Sequence, residues 1–200
     1  MTILVLDSRW PDMIPLGIAS RIRGPVEFTA EVPVSVRWAL ADTAPESGPG
    51  WLVTTDPQSP EVRSRAADEE VLTVPSLSDP VHQAVETMRR ARARGEWERA
   101  MTHESLLPYL EEEAGEFAEA VRQGLGDKEM HAELSDVLLQ VIFHAELARE
   151  RGAFDFADVA QAFTDKMKSR APYLFDGSAG IVGVEEQERL WAEGKRREAR

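Results

Sequence analysis

Five of the acids between Glu112 and Asp136 fall into two groups with helical spacing. Glu112, Glu113 and Glu116 make an E-E-x-x-E, and after residues 117–132 come Glu133 and Asp136, an E-x-x-D. On a helix turning about 100° per residue, the first three occupy a sector of roughly 100° and the second two lie about 60° apart. The connection Gly124-Leu125-Gly126-Asp127 is short, so the two helices are expected to be antiparallel neighbours. Both acidic groups then stand at a similar distance from the turn and face one another. Core-type residues flank them: Phe117 and Val121 on the first helix, Val137, Leu138, Val141 and Ile142 on the second. Carboxylates crowded into such a seam repel, and each is driven towards protonation. A hard divalent cation removes that cost, and all-oxygen ligation suits Mg2+ or Mn2+.

A single E-x-x-E is more often a solvated helix face. Two acidic groups at matched distance from one turn shift the balance towards a metal cradle. A di-iron carboxylate bundle needs Glu-x-x-His on two helices, and neither His131 nor His144 follows a glutamate by three. Gly115 costs its helix roughly 1 kcal/mol against alanine, which raises the expectation that something approaches that backbone closely. The chain offers no P-loop and no Ser–His–Asp pattern, leaving direct attack by water.

The elements that must position these acids follow from spacing and end signals. From Asp79 onward the chain reads as helices. Asp79 caps and Pro80 opens the first, with Val81, Val85 and Met88 at helical spacing. The second runs from a Thr102 cap to Gly124, and Pro108 either disturbs its first turns or marks its true start. The third covers 127–152, the fourth 155–172, and the fifth runs from Val184 to the C-terminus. His103, in T-H-E-S, belongs to the start of the second helix, while His131 and His144 read as packing or surface residues. Phe143, Phe154, Phe156, Phe163 and Phe175 read as core or dimer-interface residues.

Residues 1–78 differ in composition, since ten of the twelve prolines lie at or before Pro80. "ILVLDS", "PVEFTA", "VSVRWAL" and "WLVTTD" read as short strands, 13–23 as a short helix and 42–50 as an exposed loop. The expected fold is therefore mainly α: an antiparallel helical bundle over 79–200, preceded by a small α/β segment over 1–78.

The 200 residues carry a net charge of -13, which argues against nucleic-acid polymers and anionic membranes as partners. It leaves small anions open, because a bound cation reverses the local charge. With no cysteine, no secretion leader and no long apolar run, a cytoplasmic location is expected. Lys166 and Arg170, one turn apart, suit either triphosphate oxygens or a solvated basic face. Lys168 is a weaker phosphate candidate on the same helix. Trp191 and Lys195 suit either a base with its phosphate or a packing anchor.

"WERAMTHESLLPYLEEEAGEFAEAV", "HAELSDVLLQVIFHAELARERGAFDFADV" and "DKMKSRAPYLF" resemble the MazG nucleoside triphosphate pyrophosphohydrolases, of the all-α NTP pyrophosphatase group. The resemblance covers Trp97 to about Lys195, some half of the chain. It implies a helical homodimer or dimer of dimers that hydrolyses (d)NTP to monophosphate and pyrophosphate with Mg2+. Carried over by position, Glu113, Glu116, Glu133 and Asp136 are the metal ligands. Glu112, or else Glu119, is left to orient or deprotonate the attacking water. Through K-x-x-x-R-x-P the resemblance assigns Lys166 and Arg170 to the triphosphate, and it favours ligand contact for Trp191 and Lys195. Clearing non-standard or oxidised dNTPs from the nucleotide pool is the expected service.

The sequence departs from the family pattern twice. "GEWERAM" stands where Cys-Pro-Trp-Asp is common, and Gly115 stands at a tyrosine position. Both departures favour the reading from a different class, a non-catalytic helical module that binds a protein partner or senses nucleotides. A phosphohydrolase of the terminal phosphate is a third reading, distinguished by release of orthophosphate. The front segment resembles only faintly the opening of tetrapyrrole-methylase-like domains, lacks their glycine-rich loop, and is expected to be accessory. Some family members carry a second MazG-like domain, of which this sequence shows no trace.

Overall fold

The computed structural model describes residues 1–43 and 47–198. The chain forms two compact units, Met1–Gln83 and Ala84–Arg200. It is mainly helical, with a small parallel sheet confined to the first unit.

The first unit runs β1 (Thr2–Val5), α1 (Leu16–Ala19), β2 (Val26–Phe28), α2 (Val34–Thr43), β3 (Trp51–Thr54), α3 (Pro60–Arg65) and β4 (Glu70–Thr73). The strand order is β2-β3-β1-β4, and each pairing is parallel. In register, Thr2 of β1 faces Trp51 of β3 and Glu70 of β4. A parallel sheet is covered on both faces, and β1 reads accordingly: Leu4 and Leu6 point into a core with Val36, Leu40 and Val53, while Ile3 and Val5 join Leu52 and Val62 on the other face.

Two readings of this unit are corrected. Val34–Leu40, expected as a strand, lies in helix α2. Its alternating apolar residues suggest a period of two, but only Val36 and Leu40, four apart, are buried, while Val34 and Trp38 are exposed. Pro33 opens the helix, with its carbonyl accepting from the Val36 and Arg37 amides. The fourth strand is instead β4, a partly exposed edge whose Glu70-Val71-Leu72-Thr73 carries little strand signal. Of the expected loop 42–50, residues 44–46 lie outside the described residues, and α2 reaches Thr43.

Helix α4 (Pro80–Arg94) starts where the Asp79 carboxylate accepts from the His82 amide at 2.8 Å. After it come α5 (Glu96–Ala100), α6 (Leu107–Gln123), α7 (Asp127–Glu150), α8 (Phe156–Arg170) and α9 (Val184–Glu198). Thr102 does not cap α6. It closes a separate turn, exchanging hydrogen bonds with Ser105, and α6 begins at Leu107 with Pro108 in its first turn, where no helical amide is needed. At its other end Gly124 takes φ 65°, and the Leu125 amide reaches back to the Ala120 carbonyl at 3.0 Å. That left-handed C-terminal motif reverses the chain into α7 within three residues. Asp155 and Asp158 form a reciprocal capping box on α8.

Met88, Leu106, Ile142, Phe143 and Leu147 form the core of the second unit. Arg92, also buried, ties three elements together. Its guanidinium forks onto Glu150 at 2.9 and 2.6 Å and donates to the carbonyl of Glu98 at the end of α5. Where α8 meets α9, a Cβ on Gly194 would stand 2.8 Å from the Arg170 Cα, so the helices touch backbone to backbone. A Cβ on Gly115 would meet nothing within 4 Å among the described residues, so the described chain itself does not supply the expected close approach. Of the phenylalanines expected in the core or a dimer interface, Phe143 is buried and Phe156 packs partly buried against the core, whereas Phe154, Phe163 and Phe175 are exposed, as are Val121, Leu134, Leu138, Leu139 and Val141.

Candidate metal centre

The reversal at Gly124 brings Glu113 of α6 to Glu133 and Asp136 of α7. Each offers a carboxylate oxygen, and the three oxygens lie within 4.8 Å of one another. All three residues are half-buried. The Glu113 carboxyl is pushed above its ordinary range, first by burial and then by the charges of Asp136, Glu116, Glu112 and Glu133. Glu133 Oε2 is buried without a hydrogen-bond partner. A buried carboxylate oxygen left unpaired beside two others is costly unless a cation takes it. The donor set, oxygen throughout, fits a hard divalent ion.

The other acids of the expected set stand at the rim. Glu112 and Glu116 are exposed on α6 and act on Glu113 through their charge, outside the converging group of three. Glu119 is engaged elsewhere, with the Gln123 amide at 2.8 Å and Arg122 at 3.4 Å.

The expected phosphate and base contacts gather on α8 and α9. Arg170 lies over the Trp191 ring at 5.2 Å and binds the Glu198 carboxylate through Nε at 3.1 Å. Lys168 pairs with Asp165 at 3.3 Å. Lys166 is exposed and lines a shallow pocket with Phe154, Asp158 and Phe163, and Lys195 is exposed on α9. Arg170 and Trp191 thus form one joined unit whose cation is already matched by an acid.

Three features had no local signature. Trp97 meets Tyr109 and Phe143 edge-on, with centroids 5.6 and 6.1 Å away, beside an apolar pocket of about 420 Å³. Tyr109 stands one turn before Glu113, and Phe143 two turns after Asp136, so this wedge rests on both acid-bearing helices. His103 and His144, far apart in the chain, stack with their Nδ1 atoms 2.8 Å apart. Arg151 Nη2 donates to His103 Nε2 at 2.9 Å. Arginine can only donate, so His103 carries its proton on Nδ1 and donates it to His144 Nδ1, which leaves the His144 proton on Nε2. Gln140, finally, is buried on α7 one turn beyond Asp136.

Compared with known proteins, residues 1–73 match the MazG N-terminal domain and residues 101–175 the MazG nucleotide pyrophosphohydrolase domain. The front segment, weakly marked in sequence, is thereby accounted for. A nucleoside triphosphate pyrophosphohydrolase of Mycolicibacterium smegmatis is 36% identical over 207 residues, covering 99% of this chain and 63% of its own. One from Mycobacterium tuberculosis is 35% identical over 203 residues, covering 98% and 62%. The chain therefore spans less than two thirds of these relatives. A solved structure of a MazG-related protein from Thermotoga maritima superposes with a TM-score of 0.50 at 26% identity, over 57% of this chain and 97% of that one.

Proposed function

The chain belongs to the MazG family, and from that premise we propose that it is a nucleoside triphosphate pyrophosphohydrolase, converting (d)NTP to (d)NMP and pyrophosphate. The observation that carries this reading is the convergence of Glu113, Glu133 and Asp136 around the unpaired Glu133 Oε2. These three residues, with Glu116 at the rim, would hold Mg2+, or Mn2+ in its place. The cation, when bound, supplies Lewis-acid polarisation of the phosphoryl oxygens.

The chain's own groups do the rest. Glu112, exposed beside the cluster, takes the proton of the attacking water. Its position suits that role better than Glu119, whose carboxylate is already hydrogen-bonded. The water oxygen bonds to phosphorus, the bridging P–O bond between the α and β phosphates breaks, and pyrophosphate leaves with the electron pair. Lys166, Lys168, Arg170 and Lys195 balance the charge of the triphosphate. Arg170 does so by exchanging Glu198 for phosphate, which leaves Trp191 to stack on the base.

The antiparallel bundle of the all-α NTP pyrophosphatase type, over 79–200, is the scaffold of this reading, with 1–78 as an accessory domain. The exposed Leu134, Leu138, Leu139 and Val141 of α7 support a homodimer, or a dimer of dimers. Among the described residues no helix is long and apolar enough to cross a membrane. Residence in the cytoplasm and removal of non-standard or oxidised dNTPs complete the proposal.

The test is pyrophosphate release from a panel of normal and oxidised dNTPs with Mg2+, against EDTA. Glu133→Ala and Asp136→Ala are expected to abolish release while helical content is retained. Retained turnover in both variants overturns the assignment, and orthophosphate in place of pyrophosphate overturns the reaction. No product at all favours the nucleotide-sensing or partner-binding module.

A further inference from the structure

Among the described residues, three buried side-chain atoms without a hydrogen-bond partner fall on one face of α7: Glu133 Oε2, Gln140 Oε1 and His144 Nε2. At about 100° per residue, positions 133, 140 and 144 lie within roughly 40° of one another. Gln140 is 4% exposed, the most enclosed of the three. A buried amide oxygen left without a hydrogen-bond partner is costly. A leucine or methionine at this place in the seam would avoid that cost.

Gln140 stands four residues beyond Asp136, so their Cβ atoms are about 5–6 Å apart. Side chains on a helix lean towards its N-terminus. The Gln140 amide therefore reaches towards the turn that carries Asp136, not away from it. An amide oxygen is too weak a donor atom to compete with three carboxylates for a hard cation. It is well suited to accept a hydrogen bond from a water that such a cation carries, because Mg2+ gives up its hydration reluctantly.

We infer that Gln140 is an outer-shell positioning residue of the carboxylate site, with Oε1 accepting from a water of the bound divalent cation and fixing that water's orientation. The inference rests on the metal reading of Glu113, Glu133 and Asp136. The competing partner for Gln140 is the Nε2–H of His144, one turn further on and likewise unpaired.

Mn2+ binding to the full chain, without nucleotide, separates these cases by calorimetric titration of the parent, Gln140→Met, Gln140→Asn and His144→Phe. Replacing an unpaired buried acceptor by an apolar group of similar shape is close to neutral for folding, so Gln140→Met is expected to keep its helical content. Loss of an outer-shell partner typically lowers metal affinity about 10–100-fold. That loss is expected in Gln140→Met and, because the shortened amide falls short, in Gln140→Asn. His144→Phe is expected to bind Mn2+ within about twofold of the parent, since it removes nothing from the ion's surroundings. Parent-like affinity in both Gln140 variants overturns the inference and leaves the metal site standing. An equal loss in His144→Phe overturns it too, by assigning Gln140 to the histidine pair. A parent chain that binds no Mn2+ overturns the metal reading and this inference together.

Discussion

At the scale of single residues, Glu113 and His144 are shifted in opposite senses. The Glu113 carboxyl lies above its ordinary 4.5 because burial and four neighbouring acids disfavour its charge. A raised folded value means that the folded chain holds the proton more tightly than the unfolded one. Stability from this group is full below the ordinary value and is lost as pH rises through the raised one. At neutral pH without metal, Glu113 is therefore a liability. Glu113→Gln is expected to raise the thermal midpoint in EDTA at pH 7 and to abolish the further rise that Mg2+ or Mn2+ gives the parent. A midpoint below the parent's in EDTA would contradict the charge repulsion. His144 runs the other way. Burial, then His103, hold its imidazole below the ordinary 6.5. The folded chain binds fewer protons there, so stability is complete above about pH 6.5 and falls as pH drops through the lowered value. Thermal melts between pH 7.5 and 5, ranges chosen around roughly that value, should show the decline in the parent and a flatter profile in His144→Phe.

At the scale of elements, two glycines inside helices make opposite forecasts. Gly115 has open space where a side chain would be, so Gly115→Ala recovers helix propensity, roughly 1 kcal/mol, with nothing to displace. Gly194 has the α8 backbone there, and Gly194→Ala must push α9 off α8. Denaturant melts should show the first variant more stable than the parent and the second less stable, although alanine is the better helix former at both. The elements also show what the sequence discloses. Helix α6 and its reversal into α7 were legible because Pro108, Gly124 and the acid spacing are local signals. Helix α2 was not, because V-S-V-R-W-A-L satisfies both periods until burial chooses Val36 and Leu40. The stacked histidines have no sequence signal for another reason: His103 and His144 meet only through tertiary packing, and no spacing rule connects them. Arg92 was hidden among look-alikes, since nothing in R-R-A-R-A-R distinguishes the arginine that turns inward to Glu150.

At the scale of the whole molecule, the exposed apolar residues of α7 bear on the proposed homodimer. Leu138 and Leu139 expose 43% and 44% of their surfaces beside the Trp97 pocket, and Leu134 exposes 51%. Sedimentation of the full chain is expected to give a particle of at least two 22.3 kDa subunits. A lone 22.3 kDa species at micromolar concentration would leave those residues to another partner.

The reversal at Gly124 sets how much change the spacing of the acids tolerates. Because the hairpin of α6 and α7 holds every converging acid on one uninterrupted stretch of chain, the proposed metal centre depends on the spacing within that stretch. A one-residue insertion at 124–126 would turn the two acid groups past each other.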